Sequence, residues 1–286
     1  MSTAFSVEDL HFTYPSSKTE TIKGISFTVQ EGEIFGLLGP SGAGKSTTQK
    51  ILIKLLENYS GRILYFGKDI HSLGSSFYEE IGVGFEMPVH FTKMTAAENL
   101  NFFSNFYQNK ADVQGLMERV GLWEYRDIRV GEYSKGMKVR LNFVRAMLNR
   151  PRVLFLDEVT NGLDPKNARI IKDMIVEYRS QGGTVFLTTH LMNDVEQLCN
   201  RVAFCVDGRL HEISTPRELK MKYGKREIKV EYREKENTRS AVFPMASIGE
   251  NEAFLNLLKS KEIETIHSGE TSMEDIFITV TGVGVK

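Results

Sequence analysis

Gly39-Pro40-Ser41-Gly42-Ala43-Gly44-Lys45-Ser46 fits the pattern G-x-x-x-x-G-K-[ST], and its flanks suit it. Ile34 to Leu38 is a short apolar run that reads as a buried strand entering a loop. Ser46 to Leu56 reads as the helix leaving it, with Ile51, Leu52, Leu55 and Leu56 on one face. A chain built around strand, glycine loop and helix is committed to an α/β unit. The glycines let the backbone come close to an anion at otherwise costly angles. Consecutive N–H groups and the helix N-terminus then point at it. Lys45 adds a point charge for terminal phosphates, and Ser46 offers a hydroxyl to Mg²⁺. A chance glycine-rich turn has no reason to carry Lys45-Ser46-Thr47 in this register. The residues from Gly39 to Thr47 therefore read as a cradle for a nucleoside triphosphate.

The remaining pattern arranges itself around that loop. Residues 5–30 alternate like paired strands with a turn near Pro15-Ser16-Ser17, and residues 61–70 return to strand character. Between about 87 and 150 the periodicity is helical, as in Ala97 to Phe106 and Val139 to Leu148, which predicts an inserted helical subdomain. Val153 to Leu156 and Thr184 to Thr188 are continuous apolar or β-branched runs, as in strands covered on both faces. Asn167 to Arg179 reads as the helix between them, and Asp207-Gly208 as a hairpin turn. Glu227 to Arg233 alternates strictly, Glu252 to Ser260 looks helical, and Thr271 with Glu274 suggests a capping box before Met273, Ile276, Phe277 and Val280. The expected division is 1–220 for the main domain and 221–286 for a small α+β appendage.

Composition removes other classes. The formal net charge is -1, without the basic excess of a nucleic-acid partner. Cys199 and Cys205 show no metal-ligand spacing and read as reduced core residues. No apolar run approaches the roughly 20 residues that cross a bilayer. The start Met1-Ser2-Thr3-Ala4-Phe5 has no secretory pattern, so a membrane link is expected to run through a partner.

A second landmark narrows the chemistry. Val153-Leu154-Phe155-Leu156 runs into Asp157-Glu158. A buried strand can carry Asp157 to the mouth of the site to hold Mg²⁺. Glu158 can then polarise a water for attack on the γ-phosphate. Taken alone, the segment reads equally as a core strand that happens to end in acids.

With its companions this set resembles the ATP-binding-cassette ATPases. Tyr133-Ser134-Lys135-Gly136-Met137 stands where that family has its Leu-Ser-Gly-Gly-Gln signature. Asn161-Gly162-Leu163-Asp164 is similar to the D-loop, and Thr188-Thr189-His190 to the switch-histidine segment. Tyr14 stands at the place of the aromatic that stacks on adenine, with Phe12 as a rival. The order and spacing agree over roughly residues 5–220. The resemblance implies a P-loop NTPase (RecA-like) core sheet, an antiparallel β subdomain and the inserted helical subdomain. It also implies ATP and Mg²⁺ as cofactors, with Ser46, Glu86 and Asp157 as metal ligands. Glu158 and His190 become the catalytic residues, and Ser134, Gly136 and Asp164 meet the nucleotide of a second, head-to-tail copy.

Three positions depart from the family pattern. Glu86 stands where glutamine is usual, and Lys135 and Met137 replace glycine and glutamine of the signature. Lys135 reads equally as a cation near the partner's phosphate and as a residue facing water. The stretch Glu86 to Leu100, with Met87-Pro88 and Met94-Thr95-Ala96-Ala97-Glu98-Asn99-Leu100, resembles the exporter subgroup. So does the ending Ser272-Met273-Glu274-Asp275-Ile276-Phe277. The implied protein is an exporter ATPase held on the cytoplasmic membrane face by a separate permease. A single-cassette importer and a non-transport regulator are the alternatives.

Overall fold

The apolar run ahead of the glycine loop lies inside a six-stranded sheet. The computed structural model describes residues 2–87, 89–224, 226–234, 237–269 and 271–284; Pro88 of the exporter-like stretch lies outside them. The chain opens with β1 (Thr3–Phe12), β2 (Ile22–Gln30) and β3 (Ile34–Leu38), then α1 (Lys45–Leu52). Next come β4 (Tyr59–Tyr65), β5 (Lys68–Asp69), α2 (Ser76–Glu80) and β6 (Ile81–Gly84). The helical segment holds α3 (Ala96–Ser104), α4 (Val113–Arg119) and α5 (Lys135–Ala146). The alternating part follows as β7 (Val153–Asp157), α6 (Pro165–Ser180), β8 (Thr184–Thr189) and α7 (Met192–Leu198), closed by β9 (Arg201–Val206) and β10 (Arg209–Ser214).

The large sheet has the order β10-β9-β3-β8-β7-β6. Its strands run parallel apart from β10, which turns back at Asp207-Gly208. The smaller antiparallel sheet has the order β2-β1-β4-β5. An aromatic seam joins the two. Phe27 stacks on Phe35 at 5.4 Å, and Phe5 meets Phe155 edge-on at 5.6 Å. Rings in these offset and edge-on arrangements add to the area they bury.

Local differences from the sequence expectation have local causes. The helix after the glycine loop stops at Leu52, because Lys54 adopts a left-handed φ of 59°; Leu55 is exposed instead of lying in the apolar face. The strand expected over 61–70 is broken by a turn at Phe66 and Gly67, both at positive φ. The helix expected from Val139 begins at Lys135, since Ser134 caps it by accepting from the Met137 amide at 3.2 Å. Cys199 and Cys205 are free and buried.

A second unit runs from Pro216 to Gly282. It contains α8 (Pro216–Tyr223), β11 (Glu227–Glu234), β12 (Asn237–Pro244), α9 (Glu252–Ser260), β13 (Glu262–Gly269) and α10 (Met273–Thr281). Its sheet is antiparallel with β11 between β12 and β13. The division falls before α8, which packs on α10, and so precedes the expected position near 220. The cap of α10 is Ser272, not Thr271: its hydroxyl accepts from the Asp275 amide at 3.1 Å and donates to that carboxylate at 2.7 Å.

Candidate nucleotide site

Three adjacent parallel strands, β3, β8 and β7, end side by side. Leu38 pairs with Thr189, and Asp157 pairs with Thr188. The glycine loop, the acidic pair and His190 therefore leave the sheet next to one another. In open parallel sheets this carboxyl edge is where ligands sit.

The loop is held close to its surroundings. A Cβ on Gly39 would stand 2.0 Å from the Cys205 carbonyl oxygen. Gly44 sits at φ +102° just before α1, a conformation that side chains rarely adopt. Lys45 is buried, and its ammonium donates to the carbonyls of Gly39 at 2.7 Å and Pro40 at 3.0 Å. Burial pushes its pKa down, while the carboxylates of Glu158 and Asp157 act against that shift.

Asp157 and Glu158 are both buried. Asp157 accepts from the Thr188 hydroxyl. Glu158 adopts φ +52°, a strained angle for a side-chain-bearing residue. Its Oε1 lies 2.8 Å from His190 Nδ1, and its Oε2 accepts from the Thr189 hydroxyl at 3.4 Å. Burial raises the Glu158 carboxyl above its ordinary range, with the His190 contact opposing the rise. The sequence marked Thr188 and Thr189 only as neighbours of His190, with Thr188 ending a strand run. Their hydroxyls turn out to fix both acids.

Tyr14 lies in the loop after β1, not within the strand. Its hydroxyl is 3.1 Å from Thr47 Oγ1, and its ring meets Phe12 edge-on. Phe12 is buried in the core and is thereby withdrawn from the surface, which leaves Tyr14 as the aromatic facing the cavity. That cavity, of about 450 Å³, is lined by Tyr14, Thr21, Ser41, Gly42, Gly44, Lys45, Ser46, Thr47, Glu86, Glu158 and His190. A neighbouring cleft of about 650 Å³ shares Ser46 and Glu86 and adds Asp157.

Among the described residues no group of three His, Cys, Asp or Glu side chains is placed to cage a metal. Within the cleft, the expected ligands Ser46, Glu86 and Asp157 offer a hydroxyl and two carboxylates, all oxygen donors. That set suits Mg²⁺, which usually takes one or two carboxylates and completes its shell with phosphates and water.

Three expected residues lie elsewhere. Ser134 caps α5, Gly136 follows in its first turn, and Asp164 caps α6 by accepting from the Asn167 amide at 3.0 Å. The Asn167 bonds hold the Asp164 carboxyl below its usual range. None of the three lines the cavity. Lys135 is exposed and lies over Gly162, where a Cβ would stand 3.1 Å from its Nζ. It thus bridges the Ser134 and Asp164 segments of one chain.

Comparison with known proteins supplies the family. A family model described as ABC transporter matches residues 22–161, and one described as fluoroquinolone efflux ABC transporter C-terminal domain matches residues 226–270. A fluoroquinolones export ATP-binding protein of Mycobacterium tuberculosis is 48% identical over 278 residues, covering 96% of this chain and 92% of that protein. Nod factor export ATP-binding protein I of Burkholderia lata is 37% identical over 203 residues, covering 69% of this chain and 67% of that protein. The solved ATP-binding subunit of an ABC transporter superposes with a TM-score of 0.70 at 26% identity, covering 77% of this chain and 93% of that one. The chain belongs to the ABC transporter family, as an ATP-binding subunit of the exporter type and an ATPase that drives transport.

Proposed function

We propose that the chain binds Mg-ATP in the cavity around Lys45, and that hydrolysis requires a second copy. The observation that carries this reading is a partition. The glycine loop, Glu86, Glu158 and His190 line one cavity, while Ser134, Gly136 and Asp164 lie outside it. A half-site of this kind is completed by another molecule. Tyr14 stacks on the base, and Lys45 with the loop amides neutralises the phosphates. Ser46, Asp157 and Glu86 would hold Mg²⁺, which would supply charge neutralisation for the phosphates when bound. Glu158 accepts a proton from the attacking water, and His190 orients both. Ser134, Gly136 and the N-terminus of α5 face the phosphate held by the partner copy, where the positive end of a helix favours an anion. Asp164 lies at the seam between the copies.

No helix among the described residues is long and apolar enough to cross a membrane. We assign the membrane path to a separate permease that carries fluoroquinolone-type drugs, as named for the relative. Its docking surface is the apolar patch beside Glu86. Met87 is 80% exposed, Val89 79% and Phe106 66%, and Phe91, Phe102 and Phe106 form a chain of edge-on rings. Contiguous exposed apolar surface of this kind marks a partner site. Phe102→Glu with Phe106→Glu is expected to abolish co-purification with the permease and leave ATP binding intact. Retained co-purification would remove the patch from that role.

A further inference from the structure

A buried ion pair joins two helices outside the lining of either cavity. Lys172 on α6 and Asp194 on α7 meet at 2.5 Å, with side chains 10% and 5% exposed. The second oxygen of Asp194 accepts from the Thr160 hydroxyl, itself buried. Lys172 also donates to Gln197 Oε1 at 3.0 Å. Such pairs are poor devices for stability, because desolvating both charges offsets most of their attraction. What they can do is fix the geometry of the segments they join.

The segments joined here are the ones that carry the chemistry. Thr160 stands two residues beyond Glu158 and opens the loop to Asp164. Asp194 stands four residues beyond His190, in the first turn of α7, with its amide bonded to the Leu191 carbonyl at 3.1 Å. Lys172 lies on the helix that Asp164 caps. The loop between is stiff: the Asn161 amide donates to the Glu158 carbonyl at 2.9 Å, and the Leu163 amide to the Thr160 carbonyl at 3.2 Å. A displacement at Asp164 therefore reaches Thr160 and, through one carboxylate, the base of the helix behind His190.

We propose that Asp194 is a positioning residue that holds the Glu158–His190 pair in register with the Asp164 loop, through its bond to Thr160 and its ion pair with Lys172. This rests on the reading of the site given above. It predicts that a second copy engaging Asp164 sets the alignment of the catalytic pair through this carboxylate.

Thr160→Val tests it, since the change removes one hydroxyl and keeps the side-chain shape. In the full chain, kcat should fall by roughly 100-fold, the scale expected when catalytic groups are displaced by about an ångström. KM for ATP, binding of a fluorescent ATP analogue and the thermal midpoint should stay at parental values. Thr160→Ser should restore kcat. The pair Lys172→Met with Asp194→Leu, which fills the site without charge, should fold and remain as slow as Thr160→Val. Parental kcat in Thr160→Val would overturn the proposal. So would a kcat loss that follows the thermal midpoint and is not rescued by serine. Glu158→Gln, measured alongside, separates the two levels. Full turnover there would refute the site reading itself, whereas a dead Glu158→Gln beside a fully active Thr160→Val refutes only the role of Asp194.

Discussion

Glu158→Gln is expected to bind ATP as the parent chain does and to hydrolyse it about 10²–10⁴-fold more slowly, the usual contribution of a positioned general base. The change is nearly isosteric, so it keeps the contact with His190 and the strained turn while removing the group that takes the proton. ATP should then persist, and the chain should accumulate as an ATP-bound dimer, visible as an ATP-dependent shift in size-exclusion elution. The pH profile provides an independent check. Glu158 acts as a base only when ionised, and burial raises its pKa. Activity is therefore lost as pH falls, and the acid limb of kcat/KM, which reports the free enzyme, should stand above the ordinary carboxylate range.

Lys45→Met is expected to strike binding instead. A hydrogen bond to a charged group contributes about 1.5–3 kcal/mol, which corresponds to roughly 10- to 100-fold in affinity. Methionine fills the buried channel of the lysine stem but supplies no donor. The Gly39 and Pro40 carbonyls that Lys45 reaches also lose their partner, so the loop loosens as well. Titration with a fluorescent ATP analogue reads the loss directly. An unchanged dissociation constant would place the phosphates away from Lys45.

The parts of the fold carried by short-range pattern are legible in the residues themselves. Ile34 to Leu38 and Val153 to Leu156 are continuous runs without a charge, and both lie in fully buried strands. The resemblance carried by the motif order grouped Lys45, Glu158 and His190, whereas the strand order that sets β3, β8 and β7 side by side comes from the fold. What depends on tertiary pairing is not legible. The strand β12 is mostly exposed and shows no clean alternation, so its partnership with β11 exists only as register. Phe12 and Tyr14 have the same chemistry in sequence, and packing alone separates the buried ring from the one at the cavity. Thr160, Lys172 and Asp194 are unremarkable polar residues until the fold buries them together. Glu158 at positive φ carries no sequence mark, since strain is imposed by the surrounding turn.

The most direct test of the central claim, that each chain holds half of a catalytic site, is ATP hydrolysis per subunit across a wide dilution series at saturating Mg-ATP. The half-site predicts that the specific rate collapses on dilution below the association range, and that it recovers when an inactive Glu158→Gln chain, still able to present Ser134, Gly136 and Asp164, is added in excess. A specific rate that stays constant at every concentration, indifferent to the added chain, would contradict the account and make the monomer a complete enzyme.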